Sequence, residues 1–321
     1  MRVAFVFAPY HHKRFEENLF VVDEDFGILP PINLAYAAAF AERAGHEVTL
    51  IDAKGAHLSQ GAVLSQLREF GPDLMGYYLS TYMFRETLSW IKEIKEAVPV
   101  PVMVGGVNCS LYPEETLTHT EIDYLVVGHA DAALPALLKA VENGESPAGL
   151  PGIGCRVDGT VTIGEVQQGP VDFDNFPFPA RHLLDNSLYF SFVSQRKNFT
   201  VMMTSLGCPY ECSFCAIVPV PRGTRSVDSV IDEVDEVYHR HGVREIDFFD
   251  ASFATGRKRT VELLERIAQL NLDLEFSCRA RIDNLDPELL KLMKRAGCRA
   301  IYLGLESSNQ KILDEVSKGI D

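Results

Sequence analysis

The sequence predicts an α/β protein: a doubly wound parallel sheet in the first half, then a partial β/α barrel that reads as incomplete at its C-terminal end. Three observations predict this. Short apolar runs alternate with helical patterns along both halves of the chain. Those runs are continuously apolar, as strands covered on both faces are. A stretch rich in Pro and Phe, without any period, separates the two series.

In the first half, strand-like runs lie at residues 3–8, 47–52, 74–80, 101–105 and 122–127, with helical patterns clearest at 32–44 and 87–97. Five such units predict a doubly wound domain over residues 1–146. Its ligand belongs beyond the carboxyl ends of the strands, near the switch point. Residues 147–198 change character. The runs 153–157 and 160–163 flank Asp158-Gly159, a hairpin signature. The following DFDNFPFPARHLLD suits an extended linker packed along a surface. The second series fills residues 199–321, with strands expected at 199–205, 245–249, 274–278 and 300–305. Helices are expected at 227–239, 257–271, 287–296 and 310–316. Asp286 is placed as an N-cap before Pro287 at the first helical position, and Gly297 as the stop. Four β/α units predict a barrel or open barrel, and the sequence stops just past the fourth.

Composition narrows the partners. The 321 residues suit about two domains, and 46% hydrophobic with 23% charged residues excludes disorder as the main state. A formal net charge of −15 offers no positive field to phosphates, so no nucleic-acid partner is expected. No apolar run reaches the roughly 18 residues of a transmembrane helix. MRVAFVFAPYHHKR opens directly as a strand without a signal-peptide core, so a cytoplasmic location is expected. Seven cysteines make a poor disulfide framework in such a chain.

Three of the cysteines are crowded into TSLGCPYECSFCAIVP, as C-x3-C-x2-C directly after a strand. Cys208, Cys212 and Cys215 can hold three irons of a [4Fe–4S] cube, leaving one iron without a protein ligand. An open coordination position marks a catalytic metal rather than a structural one. Gly207 and Pro209 bend the chain around such a group. The alternatives are a zinc site or three buried thiols. Zinc takes four ligands in paired clusters, and no second C-x2-C or His pair lies nearby.

With Phe214 before its third cysteine, this motif resembles the radical S-adenosylmethionine (SAM) superfamily. FFDASF, CRARIDNLDPELLKLMKRAGC and IYLGLES resemble the second, third and fourth strand motifs of its barrel. The first half resembles the Rossmann-like cobalamin-binding domain that precedes the barrel in one large subfamily. It does so through ILPPINLAYAAAFAERAGHEVTLID, VPVMVGGVNCSLYPEE and DYLVVGHADAAL.

The resemblance implies that SAM chelates the open iron and is cleaved by one electron to a 5′-deoxyadenosyl radical, the cofactor doing the hard step. It implies that Phe214, Asp250, Arg281 and Glu306 contact SAM. Asp250 would meet the ammonium, Arg281 the carboxylate through its guanidinium fork, and Glu306 the ribose hydroxyls or ammonium. The family often has two adjacent acids where this chain has Asp250-Ala251. An ion pair of the barrel is the plainer role for each. For cobalamin, it implies a site at Ser80, Thr81, Gly105, Gly106 and Gly128, each at a carboxyl strand end. Ordinary turn chemistry uses the same residues. The family's D-x-H-x-x-G loop is absent, since His57 lies five residues after Asp52, so no histidine ligand to cobalt is expected from it.

The function implied is a cobalamin-dependent C-methyltransferase acting on a small-molecule, lipid or natural-product substrate, with an electron donor such as flavodoxin or ferredoxin. Alternatives are an oxidative cyclase resembling the anaerobic cyclase of chlorophyll biosynthesis and a non-catalytic cobalamin or SAM sensor or inactive fragment. The acidic charge speaks against tRNA as substrate. Cys278 and Cys298 are expected as small core residues, with a substrate-thiol role for Cys278 as the alternative. His11-His12 reads as surface loop, IDEVDEVYHRH as a solvated helix face and Trp90 as core-facing.

Overall fold

A computed structural model describes residues 1–10, 27–166, 169–217 and 221–320; His11-His12 lies outside them. The chain divides into two units, Met1–Gln168 with Phe176–Leu188, and Gly169–Asn175 with Tyr189–Asp321.

In the first unit, apolar segments form strands β1 (Arg2–Phe7), β2 (Glu47–Asp52), β3 (Leu74–Tyr78), β4 (Val102–Gly105) and β5 (Tyr124–Val126). The hairpin strands are β6 (Ile153–Val157) and β7 (Thr160–Ile163). The sheet runs β2-β1-β3-β4-β5-β6-β7. Its first five strands are parallel. This is a doubly wound order with its switch point between β1 and β3. Ala4 and Val6 share a core with Met75, Tyr77, Val102 and Val104. Into it pack α2 (Gln60–Phe70) through Val63 and Leu67 and α3 (Phe84–Ala97) through Ile91 and Ile94. α1 (Ile32–Arg43) packs on β1 and on α6 (Ala130–Glu142). The short helices α4 (Val107–Leu111) and α5 (Pro113–Leu117) fill the β4-to-β5 crossover. Gly76 is required in β3, because a Cβ there would sit 2.6 Å from the Phe5 ring.

The Asp158-Gly159 hairpin forms as expected, with φ of 49° and 79° at the two turn residues, the left-handed pair of a tight hairpin. What spacing does not reveal is that β6 continues the main sheet antiparallel to β5. Arg156 fastens it there by donating to the carbonyls of Leu117 (2.8 Å), His119 (3.3 Å), Thr120 (3.3 Å) and Ile122 (2.5 Å). The Pro- and Phe-rich stretch is not a free spacer. Phe176 packs edge-on against Phe40 at 5.0 Å, and the Ala180 amide donates to the Ala35 carbonyl.

In the second unit, β8 (Phe199–Met202), β11 (Glu245–Phe248), β12 (Glu275–Ala280) and β13 (Cys298–Leu303) form a parallel sheet in that order. A two-residue ladder of β9 (Ser205–Leu206) and β10 (Gly223–Thr224) lies between β8 and β11 in the chain. Register aligns Met202, Phe248, Cys278 and Ile301 on one face. That face packs on α7 (Val227–His239), α8 (Arg257–Leu270) and α9 (Pro287–Arg295). Stacked Phe248 and Phe253, 5.0 Å apart, anchor this core. Asp286 caps α9 by accepting from the Leu289 amide at 2.8 Å. The first strand stops at Met202, three residues short of the expected end, because Thr204 and Ser205 turn onto Asp250. Among the described residues no helix is long and apolar enough to cross a membrane.

Candidate functional site

The cysteine loop begins at Gly207, whose φ of 68° lies in the left-handed region that favours glycine. Cys208, Cys212 and Cys215 are free thiols, Cys212 buried and the other two half-buried. The Cys215 amide donates to the Cys212 carbonyl at 3.0 Å, closing a tight turn that puts Phe214 in solvent at 55% exposure. Tyr210 lies under the Arg281 guanidinium, 3.8 Å from its carbon, and its hydroxyl donates to Asn284 Oδ1 at 2.9 Å.

The donor set fits an iron–sulfur cube: soft thiols on one loop, accessible from one side. Among the described residues no three His, Cys, Asp or Glu side chains group to hold a single metal ion. A cube takes each thiolate on a different iron, so its ligands need not converge on one point.

Asp250 lies two residues past β11 and is turned inward, at 1% exposure. It accepts from the Thr204 amide (2.6 Å), the Thr204 hydroxyl (2.5 Å) and the Ser205 amide (3.1 Å). Burial raises its carboxyl above the usual range, partly offset by those hydrogen bonds. Its contacts brace the approach to the cysteine loop, and the carboxylate presents no free face for a ligand ammonium.

Arg281, at the start of the turn Ile282–Asn284, is 6% exposed. It donates to both Asp283 oxygens (3.0 and 2.8 Å) and to the carbonyls of Lys318 (2.7 Å) and Gly319 (3.2 Å). The fork that a SAM carboxylate would need is therefore already filled. The hydrogen bonds to Asp283 hold Arg281 above its usual range, and the same pair holds Asp283 below the carboxylate range. Glu306 stands in a left-handed backbone conformation, φ 59°, and accepts from Lys318 Nζ at 2.9 Å. Gly304 makes room for that pair, since a Cβ there would meet Glu306 Oε1 at 2.6 Å. The structure thus gathers the cysteine loop, Arg281, Asp283, Glu306 and Lys318 at one rim and leaves Asp250 beneath it. Sequence reasoning missed Tyr210, Asn284 and Lys318. Of these only Tyr210 carried a local signal, by its place inside C-x3-C.

The other face of the second sheet carries Asp247, Ser277 and Arg279. Arg279 donates to both Asp247 oxygens (2.8 and 2.9 Å) beneath the Phe249 ring, and Ser277 completes the set. Cys278 is fully buried, and its Cys298 partner together with desolvation raises its thiol, which leaves it inert.

In the first unit, Ser80 and Thr81 follow β3, Gly105 ends β4 and Gly106 follows it, and Gly128 follows β5, so the three adjacent parallel strands bring them to one edge. Gly106 has φ 120°, and a Cβ would sit 2.5 Å from the Leu79 carbonyl. The Gly128 amide donates to Ser110 Oγ at 3.0 Å. At the switch point Tyr82, 55% exposed, meets Tyr10 edge-on at 5.6 Å. Lys54 Nζ lies 4.7 Å over the Tyr10 ring and donates to its carbonyl. Burial pushes the Cys109 thiol behind this edge up to about 12.

A B12-binding domain model matches residues 19–138, and a radical SAM superfamily model matches residues 202–321. An uncharacterized methyltransferase of Pyrococcus horikoshii is 30% identical over 297 residues, covering 91% of this chain and 64% of that protein. The anaerobic magnesium-protoporphyrin IX monomethyl ester cyclase of Rubrivivax gelatinosus is 27% identical over 331 residues, covering 99% of this chain and 58% of that protein. The chain thus spans about six tenths of the length of these curated relatives. The radical SAM methyltransferase TsrM of Kitasatospora setae, solved with cobalamin and a [4Fe–4S] cluster bound, shares the fold. Its TM-score is 0.77 at 21% identity, covering 99% of this chain and 61% of that one. The chain carries a B12-binding domain ahead of a radical SAM domain.

Proposed function

We propose that the protein is a cobalamin-dependent radical SAM methyltransferase that methylates an unactivated carbon of a small-molecule substrate. The observation that supports this most is the three-thiol loop at the carboxyl rim of one parallel sheet, in a chain whose other sheet carries a glycine-lined rim of B12-binding type. When bound, a [4Fe–4S] cluster supplies the electron that cleaves SAM, and cobalamin supplies a transferable methyl group.

In this reading Cys208, Cys212 and Cys215 would ligate the cluster, and Phe214, exposed beside Cys215, would contact SAM. Glu306, partly exposed at the rim, accepts from the hydroxyls or ammonium of SAM in exchange for Lys318. Asp250 fixes the backbone that leads into the loop. In the first unit Gly105, Gly106 and Gly128 let a bulky ring approach the strand ends, Ser80 and Thr81 offer hydroxyls to its side chains, and Tyr82 covers part of its face. The electron comes from a small redox protein of flavodoxin or ferredoxin type.

Anaerobic reconstitution followed by dithionite and SAM tests this. The chain should form 5′-deoxyadenosine, and Cys208→Ala should abolish it. An intact cluster with no SAM cleavage would overturn the enzyme reading in favour of a sensor or an inactive fragment. A cyclase is the second reading, favoured by a cyclase relative that aligns over 99% of the chain; oxygen or ring closure in the product instead of a methyl group would establish it.

A further inference from the structure

We infer that Arg281 is a positioning residue that clamps the cysteine loop. This rests on the reading that the loop ligates a cluster. Three independent contacts carry it. First, Tyr210, between Cys208 and Cys212, has its ring 3.8 Å from the guanidinium carbon. With Arg281 buried, the attraction between its charge and the ring face is stronger than at an exposed site. Second, Arg281 holds the carbonyls of Lys318 and Gly319 at 2.7 and 3.2 Å. Third, the loop itself reaches that segment, because the Ser213 amide, next to Cys212, donates to the Val316 carbonyl at 3.0 Å.

One side chain thus binds both ends of an arch. Its ring contact holds the loop, its two carbonyl contacts hold residues 318 and 319, and the Ser213 bond joins the two. Asp283 orients the guanidinium by a two-oxygen contact, and Lys318 is itself anchored on Glu306. The buried state of Cys212 follows from this closure. The guanidinium is also a fixed positive charge beside the loop. A negative charge added there on reduction is stabilised by it, and removing it makes reduction harder.

The test uses the full chain in two states. In the metal-free protein, thiol alkylation read by mass spectrometry reports loop closure at Cys212. Arg281→Gln and Tyr210→Ala should each speed alkylation of Cys212 by roughly tenfold, the loss of about 1.4 kcal/mol. The double variant should be faster than either by less than the product of the two effects, because both remove the shared ring contact. In the reconstituted protein the midpoint potential should move negative in Arg281→Gln and return towards the wild-type value in Arg281→Lys, which keeps the charge but loses the fork. Circular dichroism identifies any variant that fails to fold, and Tyr210→Ala leaves Arg281 in place for that case. Unchanged Cys212 protection with a tenfold loss of SAM affinity would overturn the clamp and assign Arg281 to the SAM carboxylate. Wild-type protein that takes up no iron would instead overturn the cluster reading, while the alkylation arm would still decide the clamp.

Discussion

Asp250 illustrates how burial changes what a carboxylate does. Its oxygens are committed to Thr204 and Ser205 and its carboxyl is raised by desolvation. A raised acid binds its proton more tightly in the folded chain than in the unfolded one. Its contribution to stability is therefore full below the unfolded value near 4 and declines as pH rises through the folded value. Asp250→Asn keeps an acceptor for the two amides and removes that titration. Urea midpoints at pH 4.5 and 7 should therefore differ from wild type by a relative gain for the variant at pH 7. Asp250→Ala strands buried donors and should cost about 3 kcal/mol at pH 4.5 and less at pH 7, where the wild type has itself lost part of the carboxyl's contribution. A glycine pair makes the same point about space. Gly106→Ala must clash with the Leu79 carbonyl in a backbone region closed to side chains. It should cost about 2 kcal/mol or more, while Gly105→Ala, with its nearest neighbour at 3.6 Å, should fall within about 0.5 kcal/mol of wild type. The cysteines were legible because a ligating loop is written in local spacing. The carbonyls that Arg281 holds lie 37 and 38 residues away and the donors to Asp250 45 and 46, and no local pattern records them.

At the scale of elements, periodicity located the strands of both sheets and the helices of the second unit to within a few residues, since each buries a continuous or 3.6-periodic apolar set. α2 was less evident, although Ser59 caps its start by accepting from the Ala62 amide and Gly71 ends it in a left-handed conformation. α6 carries Pro135 inside it, which hides a helical pattern. The attachment of β6 to β5 was invisible for a different reason: an edge pairing is made by backbone groups and by Arg156, whose partners lie 34 to 39 residues away. Arg156→Leu should therefore free the hairpin selectively. Amide exchange across residues 153–163 should quicken by tenfold or more, a loss of about 1.4 kcal/mol, while protection in β1 and β3 stays unchanged.

The two candidate sites of the whole molecule are built from separate sets of residues. Cobalamin absorbance should therefore be the same in Cys208→Ala and in wild type, and simultaneous loss of both groups would show that the units fail together. The net charge of −15 belongs to this scale as well, since the chain as a whole carries no net positive field. Residues 169–175 belong with the second unit, where Asp174 accepts from the Ser226 amide, whereas 176–188 belong with the first, where Phe176 rests on Phe40. The polypeptide thus switches allegiance three times, so no single scissor point yields two self-sufficient halves. Cutting before Gly169 robs one product of Phe176 and its neighbours, and cutting after Leu188 robs the other of its Asp174 cap. Excised pieces for separate study must either share the stretch from 169 to 188 or be co-expressed and allowed to reassemble.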